Sequence, residues 1–472
     1  MDNTPEWMAP LASQLSKTLA PRDVVPAGPK YLEEPRGRFT AAQTLVLTPR
    51  STEQVADTIR ICSDLNIGIV PYAGGTGLVG GQTQPPRGKA SVILSVEKMN
   101  RIRELDSDGA VLVAEAGVIL SDVQDAASEV DLLYPVSLAS EGSCRIGGTL
   151  ATNAGGVNVI RYGNTRDLVL GVEAVLPDGS ILHGLKKLRK DNTGFDLRHL
   201  LIGSEGTLGI ITAASLRLMP RPVEQSTALI TVPDPQAAVA LLGHLQATLG
   251  DAITAFELMN QLGFSFVRDH IDGVDVPFPE LPQWAVLVDL GAGRDAGLQE
   301  RFEAAFETAM DRQLALDAVL AQSEAQRSAL WAVRESIPLA NRVVGAISNH
   351  DISVPVSSIA EFIAQADAAV CGLGPLRVGA FGHVGDGNLH YNVYPEHGQD
   401  RDTHDILRPV IKQVVHDLVH QFSGSVAAEH GVGRMKVEDL AIYGDPTKLA
   451  AMRAIKSALD PKGIMNPGVF FD

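Results

Sequence analysis

Hydrophobic and polar positions change rhythm along the chain. Residues 1–38 carry several prolines and one short helical stretch, near Pro10–Leu19, and read as a leader. From Thr44 the pattern becomes strand, helix, strand. The LVLTP segment is β-rich, and Ser51 stands where a helix N-cap belongs. Apolar Val55, Ile59, Ile61 and Cys62 then keep helical spacing through TEQVADTIRICSDLN. Gly68 follows that helix, and IGIVPY reads as a short buried strand. Glycine-rich turns and short β segments dominate to about Met219, and Pro220-Arg221-Pro222 marks a boundary.

Beyond it, STALITVP, AITAFELMN and AVLVDL read as strands. DPQAAVALLGHLQATLG, QERFEAAFETAM and SEAQRSALWAVRESIP read as helices. The alternation predicts an α+β domain over 221–425. The last segment, 426–472, holds a helix in PTKLAAMRAIKSALD and a tail bounded by proline and glycine, a pattern suited to packing back onto the body. No repeat of fixed period is evident.

Composition narrows the classes. The 472 residues carry 39 Lys plus Arg against 56 Asp plus Glu, a net charge of −17. A general nucleic-acid binder would show a basic footprint, so the charge argues against that class, and adsorption to anionic membranes is disfavoured. The three cysteines, Cys62, Cys144 and Cys371, are far apart and form no CxxC pair, which argues against a disulfide framework and for a reducing compartment. The N-terminus shows no secretory pattern, and no apolar run approaches the ~18 residues of a membrane span. A soluble cytoplasmic protein is expected.

Gly75-Thr-Gly77-Leu-Val-Gly80 matches GxGxxG, follows a strand, and has Glu97 at the spacing of a ribose-binding acid. A dinucleotide loop must open a helix whose N-terminus holds the pyrophosphate. Pro85-Pro86 and the repeated glycines that follow bar that helix. The segment reads instead as a backbone nest whose N–H groups converge on a phosphate, or as a glycine-rich turn. Two further glycine-rich regions, SCRIGGTLATNAGG from Ser143 and LIGSEGTLGI from Leu201, favour a long ligand lying against backbone.

These segments carry a resemblance. PYAGGTGLVGG, GSCRIGGTLATNAGG, RYGNTRDLVLGVEAVLPDG and KDNTGFDLRHLLIGSEGTLGIIT resemble the FAD-binding domain of the vanillyl-alcohol oxidase/PCMH superfamily. GHVGDGNLHYNV, SVAAEHGVGRMK and DPKGIMNPG resemble the C-terminal domain of FAD-linked oxidases of the D-lactate and D-2-hydroxyglutarate dehydrogenase group. The resemblance implies an α+β fold: a two-part PCMH-type FAD-binding domain over 39–220, an α+β, ferredoxin-like substrate domain over 221–425, and a helical C-terminal segment returning to the flavin. It implies FAD contacts at Gly74, Gly75, Thr76, Gly77 and Leu78. Ser143, Gly147, Gly148, Thr152, Asn153 and Gly155 would flank flavin and diphosphate, with Glu205, Gly206, Ile210 and Asn466 completing the site. Many members attach FAD through a histidine in the first loop; AGGTGLVGG has none, so non-covalent FAD is expected.

Of the 12 histidines, 8 lie at or after position 350. His383 and His390 bracket GDGN, a strong turn signal between β-like segments. On such a hairpin the two imidazoles can face each other and chelate a divalent metal, and Asn392 shares the face of His390. An open catalytic site usually has three protein ligands. Glu429 is the obvious third, and the resemblance assigns it that role, with His430 as base. Two imidazoles and a carboxylate suit zinc but admit iron or manganese. His416 and His420 imitate an HExxH pair, yet the helical pattern sets both on a polar, solvated face. Arg334 reads as the clamp for a substrate carboxylate.

The implied reaction oxidises a D-2-hydroxy acid to the 2-oxo acid, hydride passing to flavin N5. An electron-transfer flavoprotein, quinone or cytochrome would then take the electrons, and a homodimer is compatible. Two departures touch the substrate. Asn349 stands where the group usually has Lys, and Pro338 where hydroxyglutarate enzymes commonly carry Thr; Arg342 is the candidate replacement. D-2-hydroxyglutarate is favoured, with D-lactate, glycolate or an oxygen-using oxidase as alternatives.

Overall fold

The computed structural model describes residues 7–38, 40–83 and 88–471, so the Pro85-Pro86 pair lies outside the described residues. Among those described between Ala73 and Thr83, no helix begins. The chain forms two units. Met1–Gly155, Asn164–Arg221 and His430–Asp472 make the first, and Gly156–Gly163 with Pro222–Glu429 the second.

The first unit holds two main sheets. In one, strands Leu45–Leu47, Ser91–Ser95 and Gly68–Tyr72 run parallel, with Val24–Pro26 antiparallel at the edge. Every residue of Ser91–Ser95 is buried, as a strand covered on both faces requires. Ser51 caps the helix Thr52–Asp64, its hydroxyl accepting from the Gln54 N–H at 3.3 Å. The helix Met8–Leu15 places Met8, Leu11 and Leu15 in one apolar cluster with Val55 and Ile59, so residues 8–15 are part of this core. The other sheet is antiparallel: Ile102–Asp106, Val111–Glu115, Ile210–Arg217, Val169–Val175 and Ile181–Gly184. This is the two-part architecture expected of the FAD-binding half.

The second unit is built on one antiparallel sheet of seven strands. Their order is Asp317–Leu320, Glu224–Val232, Trp284–Ala292, Ile253–Asn260, Leu376–His383, Asn388–Pro395 and Ser348–Ser353. The first four strands, with helices Pro235–Leu249 and Leu298–Asp311, form a βαββαβ unit of ferredoxin-like order. The other three strands, with Ile359–Cys371 and Arg408–Gln421, repeat that plan; its last strand is reduced to a bridge between Ser425 and Ser353. Sequence shows no trace of this repeat, because only the order of elements is kept.

Those four helices bury Leu241, Phe302, Phe362 and Val415 on one face of the sheet. Gln261–His270 and Glu324–Val344 cover the other face beside Met259, Phe381 and Tyr394. Strand alternation puts Glu257, His383, His390 and Asp351 on that same second face, where the apolar cover gives way to polar groups.

Candidate active site

In the first unit Gly68–Tyr72 runs into an irregular, glycine-rich loop over 73–83. Gln82 Nε2 donates to the carbonyls of Gly75 at 3.4 Å and Gly77 at 2.7 Å. No backbone N–H of Gly74, Gly75, Thr76, Gly77 or Leu78 donates to a protein acceptor among the described residues. The glycines also serve packing. A Cβ at Gly74 would lie 2.6 Å from the Ser143 carbonyl oxygen, and one at Gly147 2.7 Å from the Ala116 methyl. Gly75 has φ +73°. The first loop therefore meets the backbone of Ser143–Arg145, the segment that leads into the short helix Ile146–Thr152, while the helix itself packs against Ala116. Gly148 and Thr152 lie on this helix, and Asn153 ends it in the left-handed conformation, its side chain accepting from the Arg166 N–H at 3.0 Å. Ser143 is exposed, and Gly155 follows the helix. Gly206, with φ +71°, and Ile210 lead into the antiparallel sheet.

Two expected cofactor residues are engaged otherwise. The Glu205 carboxylate accepts the N–H groups of Val432 and Gly433, each at 2.8 Å; burial nevertheless pushes its pKa up. Asn466 donates through Nδ2 to the Glu205 carbonyl and accepts from Arg434 Nη2, each at 2.7 Å. Both side chains thus tie down the returning C-terminal segment. Arg434, which sequence reasoning missed, clips the whole. It donates to the carbonyls of Gly80 at 2.8 Å, Gly81 at 2.9 Å and Pro467 at 2.8 Å.

In the second unit three sequence-predicted ligands meet. His383, His390 and Glu429 each offer an atom within 4.8 Å of the others'. Phe381 is directly opposite His390 in the hairpin, so His383 sits diagonally across, with ring centroids 5.6 Å apart. Glu429 Oε1 lies 3.5 Å from His383 Nε2, and Oε2 lies 4.0 Å from His390 Nε2. Ligands on a tetrahedral cation with bonds near 2.0–2.1 Å sit about 3.3 Å apart, so the donor set fits a zinc-sized ion. Asp351 holds the Glu429 segment in place: it accepts from the Glu429 N–H at 3.1 Å and from Asn388 Nδ2 at 3.0 Å. His430 is the next residue in the chain and opens the segment that belongs to the first unit.

Glu257 was invisible in the sequence. It is fully buried and directly opposite His383 in register. Its Oε1 lies 2.7 Å from His383 Nδ1, and its Oε2 receives Arg334 through Nε at 2.8 Å and Nη2 at 2.7 Å. Burial alone would raise the Glu257 carboxyl, but His383 and Arg334 hold it down to about 2. Burial likewise disfavours charge on His383, yet Glu257 and Glu429 raise its imidazole to about 9. The only local hint was a charged residue inside the apolar strand FELMN.

Arg334 is therefore not an open two-pronged clamp. Two of its nitrogens are committed to Glu257, and the guanidinium lies 5.0 Å from the Phe381 ring centre. Nη1 makes no hydrogen bond among the described residues. Arg342 does not join it. Eight residues on, it is about 12 Å along the helix and about 80° round it, and it is exposed. Asn392 is buried on the site face, directly opposite the exposed Asn349. Pro338 sits exposed within Glu324–Val344.

The expectation of a solvated pair at His416 and His420 is half wrong. His420 is exposed, but His416 is buried, its Nε2 3.2 Å from Nδ1 of buried His350, whose Nε2 meets Ser348 Oγ at 2.9 Å. The helix Arg408–Gln421 packs over a wider face than its apolar stripe indicated.

Comparison with known proteins follows the same division. Among solved structures, p-cresol methylhydroxylase with substrate bound superposes with a TM-score of 0.78 at 17% identity, covering 99% of this chain and 98% of that one. An alkyldihydroxyacetonephosphate synthase gives 0.74 at 17% identity, over 97% of this chain and 85% of that one. At such identities these show the fold. A family model described as FAD linked oxidases, C-terminal domain, matches residues 221–470, and one described as FAD binding domain matches 43–184. The chain belongs to the FAD linked oxidase family, and it is an enzyme. Curated relatives include D-2-hydroxyglutarate dehydrogenase of Bos taurus, 37% identical over 95% of this chain and 79% of its own length. That of Xanthomonas citri is 36% identical over 92% and 90%. The unpaired N–H run of Gly74–Leu78 fits the diphosphate of FAD, the cofactor of the family.

Proposed function

We propose that this chain is an FAD- and metal-dependent dehydrogenase that oxidises a D-2-hydroxy acid to its 2-oxo acid, with D-2-hydroxyglutarate the favoured substrate. The observation that carries the chemistry is the convergence of His383, His390 and Glu429, with Glu257 behind His383. The substrate class rests on the relatives named above. When bound, FAD supplies the hydride acceptor, and a divalent cation, zinc foremost, supplies Lewis acidity that eases loss of the hydroxyl proton. The residues of the chain do the remainder. His383, His390 and Glu429 hold the cation. Arg334 offers Nη1 to the substrate carboxylate, pre-oriented by Glu257, so orientation is set before chemistry. Asn392 lines the same sheet face. His430 takes the hydroxyl proton. An electron-transfer flavoprotein, quinone or cytochrome receives the electrons.

A smaller substrate, D-lactate or glycolate, is the second reading. It is favoured by Asn349 in place of Lys and by the exposure of Arg342, which removes the expected partner for a second carboxylate. Steady-state turnover with an artificial electron acceptor, run on D- and L-2-hydroxyglutarate, lactate and glycolate with and without chelator, tests the assignment. D-selective, chelator-sensitive turnover supports it. L-selective turnover, or turnover indifferent to chelator and to metal re-addition, contradicts it, and peroxide formed at the turnover rate marks an oxidase.

A further inference from the structure

We propose that Glu257 is a positioning residue that sets the metal-binding tautomer of His383, and that only a carboxylate can do so because the same side chain must also hold Arg334. The inference rests on His383 being a metal ligand through Nε2.

An ionised carboxylate only accepts hydrogen bonds. With Oε1 at 2.7 Å, His383 Nδ1 must therefore carry the proton and donate. The neutral ring then has its lone pair on Nε2, the atom 3.5 Å from Glu429. At the other oxygen the demand has the same sign, because a guanidinium only donates, and Arg334 brings Nε and Nη2 to Oε2. Glu257 thus faces donors on both sides, and its fully buried side chain is cut off from bulk solvent.

An amide cannot reproduce this. Glu257→Gln has nearly the same shape but one accepting end and one donating end. Arg334 has nothing that can accept, so the amide oxygen must turn to Arg334 and the NH2 to His383. Nδ1 is then forced to accept, the proton moves to Nε2, and the metal-binding lone pair is lost. Removing the arginine releases the constraint. In Glu257→Gln/Arg334→Met the amide can rotate, its oxygen can accept from Nδ1–H, and Nε2 is free again. A residue that merely filled space would leave the double variant no better than Glu257→Gln. Simple charge pairing would also allow recovery, because the double variant leaves no buried charge alone, but it would not move the proton on the His383 ring, so the ring 15N tautomer separates the two.

The test is zinc affinity of the FAD-loaded protein by competition with a chromogenic chelator, with FAD content as the control for folding. Glu257→Gln should bind zinc about 10–100-fold more weakly than the parent. Arg334→Met should stay within a few-fold of the parent, and the double variant should recover most of the loss. Glu257→Gln with parental affinity, or a double variant no better than Glu257→Gln, overturns the proposal. If Glu257→Gln does not fold, a double variant that folds and fails to bind zinc overturns it equally. A parent that binds no metal is a different failure, that of the metal reading above. In that case the His383 ring 15N shifts of metal-free protein, recorded where the imidazole is neutral, still read the tautomer: Nδ1–H in the parent and Nε2–H in Glu257→Gln are expected, and the same tautomer in both overturns the assignment.

Discussion

His383 and His390 could be read from the chain because a turn of four residues and the two-residue period of a strand fix which side chains meet. Glu257 could not. It reaches His383 across 126 residues, through a strand pairing that no local pattern announces. Asp351, which anchors Glu429, is silent for the same reason. His383→Ala or His390→Ala should lose bound metal and turnover while keeping FAD, since hairpin and flavin cradle are separate segments; metal analysis and the flavin spectrum check this. Gly75→Ala tests the cradle. Its φ of +73° is unfavourable to any Cβ, and that Cβ would lie 2.0 Å from the Tyr72 hydroxyl. A loss of at least ~1 kcal/mol in denaturant stability, together with weaker FAD retention, is expected. Asn349→Lys probes the substrate. A cation opposite Asn392 should raise kcat/KM for D-2-hydroxyglutarate relative to D-lactate, about tenfold if it is worth about 1.4 kcal/mol. An unchanged ratio removes residue 349 from the substrate site.

Elements were legible where periodicity and caps agree. Ser51 and the helix after it were, and so were the glycine-rich loops. The helix carrying His416 misled because its apolar stripe is narrower than the face it buries, and His350 satisfies the imidazole inside. The C-terminal segment was expected to pack back, but not how. Its tail pairs with Gly68–Tyr72, Ile69 donating to the Ile464 carbonyl at 2.7 Å and accepting from the Asn466 N–H at 2.8 Å. Arg434 ties that tail to the first glycine loop, and burial lowers its pKa to about 10 without neutralising it. Arg434→Leu leaves the buried Gly80 carbonyl and the half-buried carbonyls of Gly81 and Pro467 without this donor, at roughly 1–3 kcal/mol for a fully buried group and less for the others. A fall of about 3 kcal/mol in unfolding free energy and faster loss of FAD are expected. Parental values for both would show that the clip is dispensable.

Across the whole molecule, the α+β class and the two-part flavin half followed from the order of elements and from family motifs, whereas the doubled ferredoxin-like plan of the second unit did not, because topology can persist after sequence similarity is gone. The charge balance of the site has a global consequence. In metal-free protein the His383 imidazole is raised from 6.5 to about 9. Its proton therefore contributes stability that is complete below about pH 6.5 and is lost as pH rises through about 9. Chelated protein should lose unfolding midpoint across that window relative to zinc-loaded protein, and the difference should flatten in His383→Gln. The most direct measurement of the central claim is anaerobic mixing of the purified protein with D-2-hydroxyglutarate while the flavin absorbance is followed. Rapid bleaching with the D acid, little with the L acid, loss of the signal after chelation and its return with zinc are predicted. Flavin that stays oxidised with every D-2-hydroxy acid in the metal-loaded protein contradicts the account.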